Sequence, residues 1–176
     1  MKKEIIATTA LAGIGIAAAI TFASKNEPLE TVAHVELDKY LGKWYEIAVF
    51  PQNFEKGCTN TTAEYSMMDD GKIAIKNSCL VDGKPKVIEG KAQVTDKKTN
   101  ARLEVQFAWS FSGKYWIIAL APDYSYAVVG HPNRKYLWIL GRKPVMDNMT
   151  YNHLVLVAAS KGFDIRKLVK TVQEVG

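Results

Sequence analysis

Cys58 and Cys79 are the residues whose type and spacing most plainly allow chemistry. In an oxidising compartment they would pair, closing a loop of about 20 residues worth roughly 3 kcal/mol in the chain-entropy account; otherwise they are two buried thiols. Neither has histidine or cysteine neighbours at ligand spacing, so no metal site is expected. His34, His131 and His153 fall in a tether, a turn and a helix, which makes them surface residues rather than ligands or a general base. Glu46, Tyr115 and Cys58 are the groups from which acid–base or nucleophilic catalysis could be assembled. The Gly13-Ile14-Gly15-Ile16-Ala17-Ala18 run matches a loose dinucleotide-binding pattern, but no strand precedes it. No cofactor is implied. Asn60-Thr61-Thr62 and Asn148-Met149-Thr150 have the form of glycosylation sequons, which matter only in a eukaryotic secretory host.

The elements that must position these residues begin after an unusual start. Met1-Lys2-Lys3 is basic, Ile5 to Ala23 is uncharged and apolar, and small residues stand at the cleavage-like positions Thr21-Phe22-Ala23. Residues 1–23 are therefore a signal peptide or, since such a run would span about 28 Å as a helix, a retained N-terminal membrane anchor. No cysteine lies there to carry a lipid. Residues 24–36 read as a polar tether, and residues 37–176 as one domain, because the 176 residues less the leader suffice for a single core. The net charge of +5 is mild. Its lysines and arginines are scattered between strands, which speaks against nucleic acid and leaves a weak attraction to anionic lipid surfaces.

Short runs separated by turn residues predict strands over 43–50, 58–67, 72–79, 86–95, 101–109, 114–121, 124–130 and 135–142. Leu103, Val105, Phe107 and Trp109 alternate with Arg102, Glu104 and Gln106, and the three preceding strands alternate likewise. Asp70-Gly71 and Asp82-Gly83-Lys84-Pro85 supply tight turns, so sequence neighbours should pair as hairpins. Eight such strands predict an all-β, eight-stranded antiparallel up-and-down barrel. After Pro144, Tyr151, Leu154, Val155, Ala158 and Ala159 recur at helical spacing up to Gly162, predicting one amphipathic C-terminal α-helix packed outside. The tail from Phe163 to Val175 is either a last strand or another helical turn. Large aromatics beside Ala63, Gly90 and Ala92 would either leave room inside or fill a taper.

Gly42-Lys43-Trp44-Tyr45 resembles the Gly-x-Trp entry to the first strand of the lipocalins. Pro122-Asp123-Tyr124 is similar to their second motif, with proline in place of threonine, and Arg142 to the arginine that ends their eighth strand. The segments 115–120, 123–130 and 136–142 resemble bacterial lipocalins and apolipoprotein D in particular. The resemblance, over about residues 37–170, implies that Gly42, Trp44, Asp123, Tyr124 and Arg142 are structural, with the guanidinium of Arg142 lying over the Trp44 indole. It implies carriage of a fatty acid or (lyso)phospholipid within the cell envelope, as an exported periplasmic or outer-membrane-associated protein, with membrane association and a homodimer among the arrangements the family allows. Without a cysteine at the end of the leader, attachment as a lipobox lipoprotein is not expected.

Strand parity and family position together place Phe50, Tyr65, Ile75, Ile88, Val105, Phe107, Tyr115, Ile117, Tyr126 and Trp138 in the ligand cavity. Glu46 and Asn77 share that parity and would anchor a polar head group or satisfy buried neighbours. Two other functions fit the same barrel: an enzyme acting on an enclosed lipid through Glu46, Tyr115 or Cys58, and a structural envelope protein with a filled interior.

Overall fold

The computed structural model describes residues 27–107 and 111–174. The leader assigned to residues 1–23 and Trp109, expected to point inward, lie outside the described residues. Eight strands, β1 (Gly42–Val49), β2 (Cys58–Met67), β3 (Ile73–Val81), β4 (Lys84–Val94), β5 (Arg102–Phe107), β6 (Phe111–Leu120), β7 (Tyr126–Gly130) and β8 (Leu137–Gly141), each pair antiparallel with the next. β1 pairs with both β2 and β8, which closes the sheet into a barrel and removes its free edges. The β3–β4 turn is narrower than the sequence suggested: Asp82 and Gly83 both take positive φ, Val81 faces Lys84, and Lys84 and Pro85 already belong to β4. Such a two-residue turn matches the twist of the strands it joins.

Two apolar layers result. Inside, Trp44, Tyr65, Ile75, Leu103, Val105, Ile117, Val129 and Leu140 form one cluster. Outside, α2 (Asn148–Ser160) lays Leu154 and Ala158 against Ile118, Val128 and Ile139. Asp147 caps this helix by accepting the Thr150 N–H at 2.9 Å. Phe163, just past the helix, sits where a Cβ on Gly130 would fall 2.4 Å from its ring, so β7 ends on the residue type that this approach requires.

The tail does both things its composition allowed. Ile165–Lys167 make a 3-10 turn, and β9 (Val169–Lys170) then pairs with Val49 and Ala48 of β1. Beyond it, the Asn60 N–H donates to the Val172 carbonyl, and the Gln173 amide donates to the carbonyls of Glu46 and Thr61. The tail thus fills the seam where β1 and β2 part. At the other end, residues 27–36 lie against the barrel rather than extending from it: Leu29 and Val35 are buried, and the Val35 N–H donates to Thr99. α1 (Leu37–Tyr40) completes the floor.

Cys58 and Cys79 form a disulfide between β2 and β3. It removes the thiol from the set that a nucleophilic mechanism would have used. Replacing both with serine is expected to lower stability by roughly 3 kcal/mol, as constraint on the unfolded chain is lost. Thermal unfolding with and without reductant checks this: wild type should fall to the variant's midpoint under reductant, and an unchanged midpoint would mean that the bridge constrains little.

Candidate functional site: a half-open cavity in the upper barrel

The closed end is built around an arginine. Arg142 emerges from β8 with its guanidinium carbon 3.8 Å from the centre of the Trp44 indole. Its nitrogens donate to the carbonyls of Lys39, Tyr40, Leu41 and Lys43 at 2.7–3.2 Å, and to Tyr124 at 3.3 Å. These carbonyls lie at the end of α1, the start of β1 and the β6–β7 turn, where the strand ladder cannot satisfy them. Gly42 takes φ +88°, and Tyr124, also left-handed, accepts the Glu36 N–H at its hydroxyl. Asp123 accepts the Ser125 N–H and holds that turn.

Above this plug the interior opens into a cavity of about 470 Å³, within the range that holds one small ligand. Its floor is a chain of phenols. Tyr115 lies 2.7 Å from Tyr40 and 3.0 Å from Tyr65, hydroxyl to hydroxyl. Burial pushes Tyr65 up to about 12, and Tyr40 and Tyr115 well above the ordinary range, so all three stay protonated. Three hydroxyl hydrogens serve two mutual bonds, leaving one to spare, which Tyr65 or Tyr115, both lining the cavity, can offer to an acceptor there.

Ile75, Val105, Phe107 and Leu140 form the apolar wall. Gly90 does not leave space in it, since the Phe107 ring occupies the position its side chain would take, 2.6 Å from a built Cβ. On the β8–β1–β2–β3 side the wall becomes polar. Glu46, 5% exposed, accepts the Thr171 hydroxyl, and burial pushes its carboxyl up to about 7. Glu55, in the 3-10 turn Asn53–Glu55 after β1, is pushed up to about 8 by burial and by Glu46; the Trp138 indole N–H, 3.5 Å away, and Lys86 oppose this. The second Glu55 oxygen, the Thr61 hydroxyl and the Asn77 amide oxygen are buried without a hydrogen-bond partner. At the mouth stand Phe54, Ile88 and the β7–β8 turn with His131 and Tyr136.

The cavity brings together Tyr65, Ile75, Val105, Phe107, Tyr115, Trp138, Glu46 and Asn77, with Ile88 at the rim and 42% exposed. Three expected positions lie elsewhere. Phe50 is outside, its ring 6.2 Å from Phe163, because an extra residue at Ile47 shifts the β1–β8 register between Glu46 and Ala48 and inverts the parity beyond it. Tyr126 packs in the outer layer: Val129 pairs with Ile117, which faces inward, so Ala127 and Val129 also face inward and Tyr126 does not. Ile117 faces inward but is fully buried in the core beneath the cavity. His131 is a correction of the other kind. It is half-buried at the rim, where burial holds it below its usual pKa and its Nδ1 accepts the Asn133 N–H. Thr61 and Leu140 were within reach of the parity of Ala63 and Trp138, whereas Glu55 sits in an irregular loop where periodicity is silent. Among the described residues no group of three His, Cys, Asp or Glu converges on a metal position.

Residues 35–173 match the model of the lipocalin-like domain family. Temperature-induced lipocalin-1 of Arabidopsis thaliana is 39% identical, with 85% of this chain and 86% of the relative covered. The outer membrane lipoprotein Blc of Escherichia coli K12 is 40% identical over 78% and 79% of the two chains, and apolipoprotein D of Rattus norvegicus 40% over 76% and 74%. Among solved structures, insecticyanin of Manduca sexta superposes with a TM-score of 0.68 at 22% identity, covering 85% of this chain and 86% of that one.

Proposed function

Since the chain belongs to the lipocalin family, whose barrels hold small hydrophobic ligands, we propose that it binds and carries a single-chain lipid, a fatty acid or lysophospholipid, in the upper cavity. The observation that carries this reading is the cavity of about 470 Å³ itself, walled by Ile75, Val105, Phe107 and Leu140 and floored by phenols with a hydrogen to spare. An alkyl chain gains from leaving water along such a wall at about 25 cal/mol per Å², and the polar groups set its orientation. Carriage takes place in the cell envelope of an exporting cell. The leader, the disulfide and the relatives named as outer membrane lipoproteins support that location.

Native mass spectrometry of gently purified protein, with organic extraction, tests the proposal and is expected to release a single-chain lipid. A ligand that binds only the folded state raises stability by about 2.7 kcal/mol at a hundredfold excess over Kd. Titration with palmitate or a lysophospholipid should therefore raise the unfolding midpoint. Ala63→Trp, which places an indole in the cavity beside Asn77, should abolish that rise while the protein stays folded. An empty protein whose midpoint no lipid moves would sink the reading.

A further inference from the structure

The polar side of the cavity is rich in acceptors. Two carboxyls, Glu46 and Glu55, share it with Thr61 and Asn77. Three buried oxygens there have no donor: one carboxyl oxygen of Glu55, the hydroxyl of Thr61 and the amide oxygen of Asn77. Thr61 is 8% exposed, so bulk water does not serve it. A buried acceptor left without a donor is unfavourable, and several on one wall are a demand that a ligand can meet. The nearby cation, Lys86, already donates to the Phe54 carbonyl at 2.7 Å. Burial, and for Glu55 also the neighbouring Glu46, favours the neutral form of both carboxyls, and an ammonium bound against them would draw them back to the charged form.

We infer that Glu46, Glu55, Thr61 and Asn77 form a subsite for a primary ammonium group on the ligand, so that the cavity selects alkyl chains bearing an amine over those bearing a carboxylate or a neutral head. The inference rests on the lipid-binding reading above and adds the head group. An ammonium brings three N–H donors and a positive charge to a site with three unserved acceptors and two carboxyls. A carboxylate head placed against this wall would meet like charge or require a shared proton; its natural partner is the phenol at the floor.

The probes are dodecylamine, N-dodecylacetamide, dodecanol and laurate, each displacing a neutral fluorescent reporter from the full chain at pH 8. Dodecylamine should bind about tenfold tighter than the acetamide. Glu55→Gln should remove most of that preference, so that dodecylamine binds within about twofold of the acetamide. Lysophosphatidylethanolamine and lysophosphatidylcholine of one chain length identify the source of the amine. Tighter binding of the first assigns the subsite to an amine carried on a phosphodiester head. Equal binding of the two, with the dodecylamine preference intact, assigns it to free long-chain amines. Equal affinity for dodecylamine and its acetamide, with both bound, overturns the subsite while leaving lipid carriage standing. Failure of all four alkyl probes to bind overturns both.

Discussion

Replacing Arg142 with methionine is expected to lower the stability of this protein by about 2–4 kcal/mol, or roughly 10 °C in the unfolding midpoint for a chain of this size. The methionine keeps apolar contact with Trp44 but offers no donor to the carbonyls of Lys39, Leu41, Lys43 and Tyr124, while that of Tyr40 keeps the Trp44 indole N–H at 2.8 Å. Each buried acceptor left unserved costs about 1–3 kcal/mol, reduced where water reaches it. Arg142 is half-buried, which places the sum toward the middle of that scale. Lysine should rescue little, because a single ammonium with three donors cannot serve all these acceptors or stack its plane on the indole as a guanidinium does. Thermal and urea unfolding of the two variants checks this; midpoints within a degree of wild type would mean that α1 is held by its apolar contacts alone. Loss of the arginine should also loosen the floor, since Tyr40 in α1 supplies one of the three linked phenols.

Between pH 6.5 and 9 the protein should lose on the order of 3 kcal/mol of stability through Glu46 and Glu55. Both carboxyls titrate near 4.5 in the unfolded chain and near 7 and 8 in the barrel. Over the interval the folded protein holds protons that the unfolded chain has released. Stability from this pair is therefore complete below the unfolded pKa and disappears as pH rises through the folded values. The groups facing them are few: Thr171 on the tail donates to Glu46, while Glu55 sees Glu46, the Trp138 indole and Lys86 from β4. The window avoids Asp70, Asp96, Asp123, Asp147 and Asp164, all held below the usual carboxylate range, and His131, whose lowered pKa acts with the opposite sign at lower pH. Unfolding midpoints measured across the interval should fall for wild type and stay level when both residues are glutamine. A level wild-type profile would show that water solvates the two carboxylates.

The barrel itself was legible along the chain because four consecutive strands, β2 to β5, bury one face only, and a period of two then marks the inner side. That pattern located Tyr65, Ile75, Val105 and Phe107. The same reading stops at β6 to β8 and at the far end of β1, where α2 and the tail cover the outside as well. With both faces apolar, parity carries no information, and Phe50 and Tyr126 fell on the wrong side. The small residues were misread for a related reason: Gly90 looks like vacant space in one dimension, while its cross-strand partner Phe107 fills it in three.

The sequence alone determined the parts that rest on local chemistry and on short-range pattern: eight strands, tight turns with their Asp-Gly pairs, and one C-terminal helix. The meeting of Trp44 and Arg142 at the closed end was implied by the resemblance to the lipocalins and by no local pattern. Tertiary structure decided the rest. A single extra residue in β1 turned Phe50 away from the cavity, because a one-residue shift in register turns every later side chain of the strand to the other face. The closing of the tail against β1 and β2 set Thr171 and Gln173 beside Glu46 and Thr61, and the folding-back of an irregular loop brought Glu55 to the same wall. The tail contacts join residues more than a hundred positions apart. No periodicity records them, since each is fixed by where the barrel's curvature brings two distant segments together.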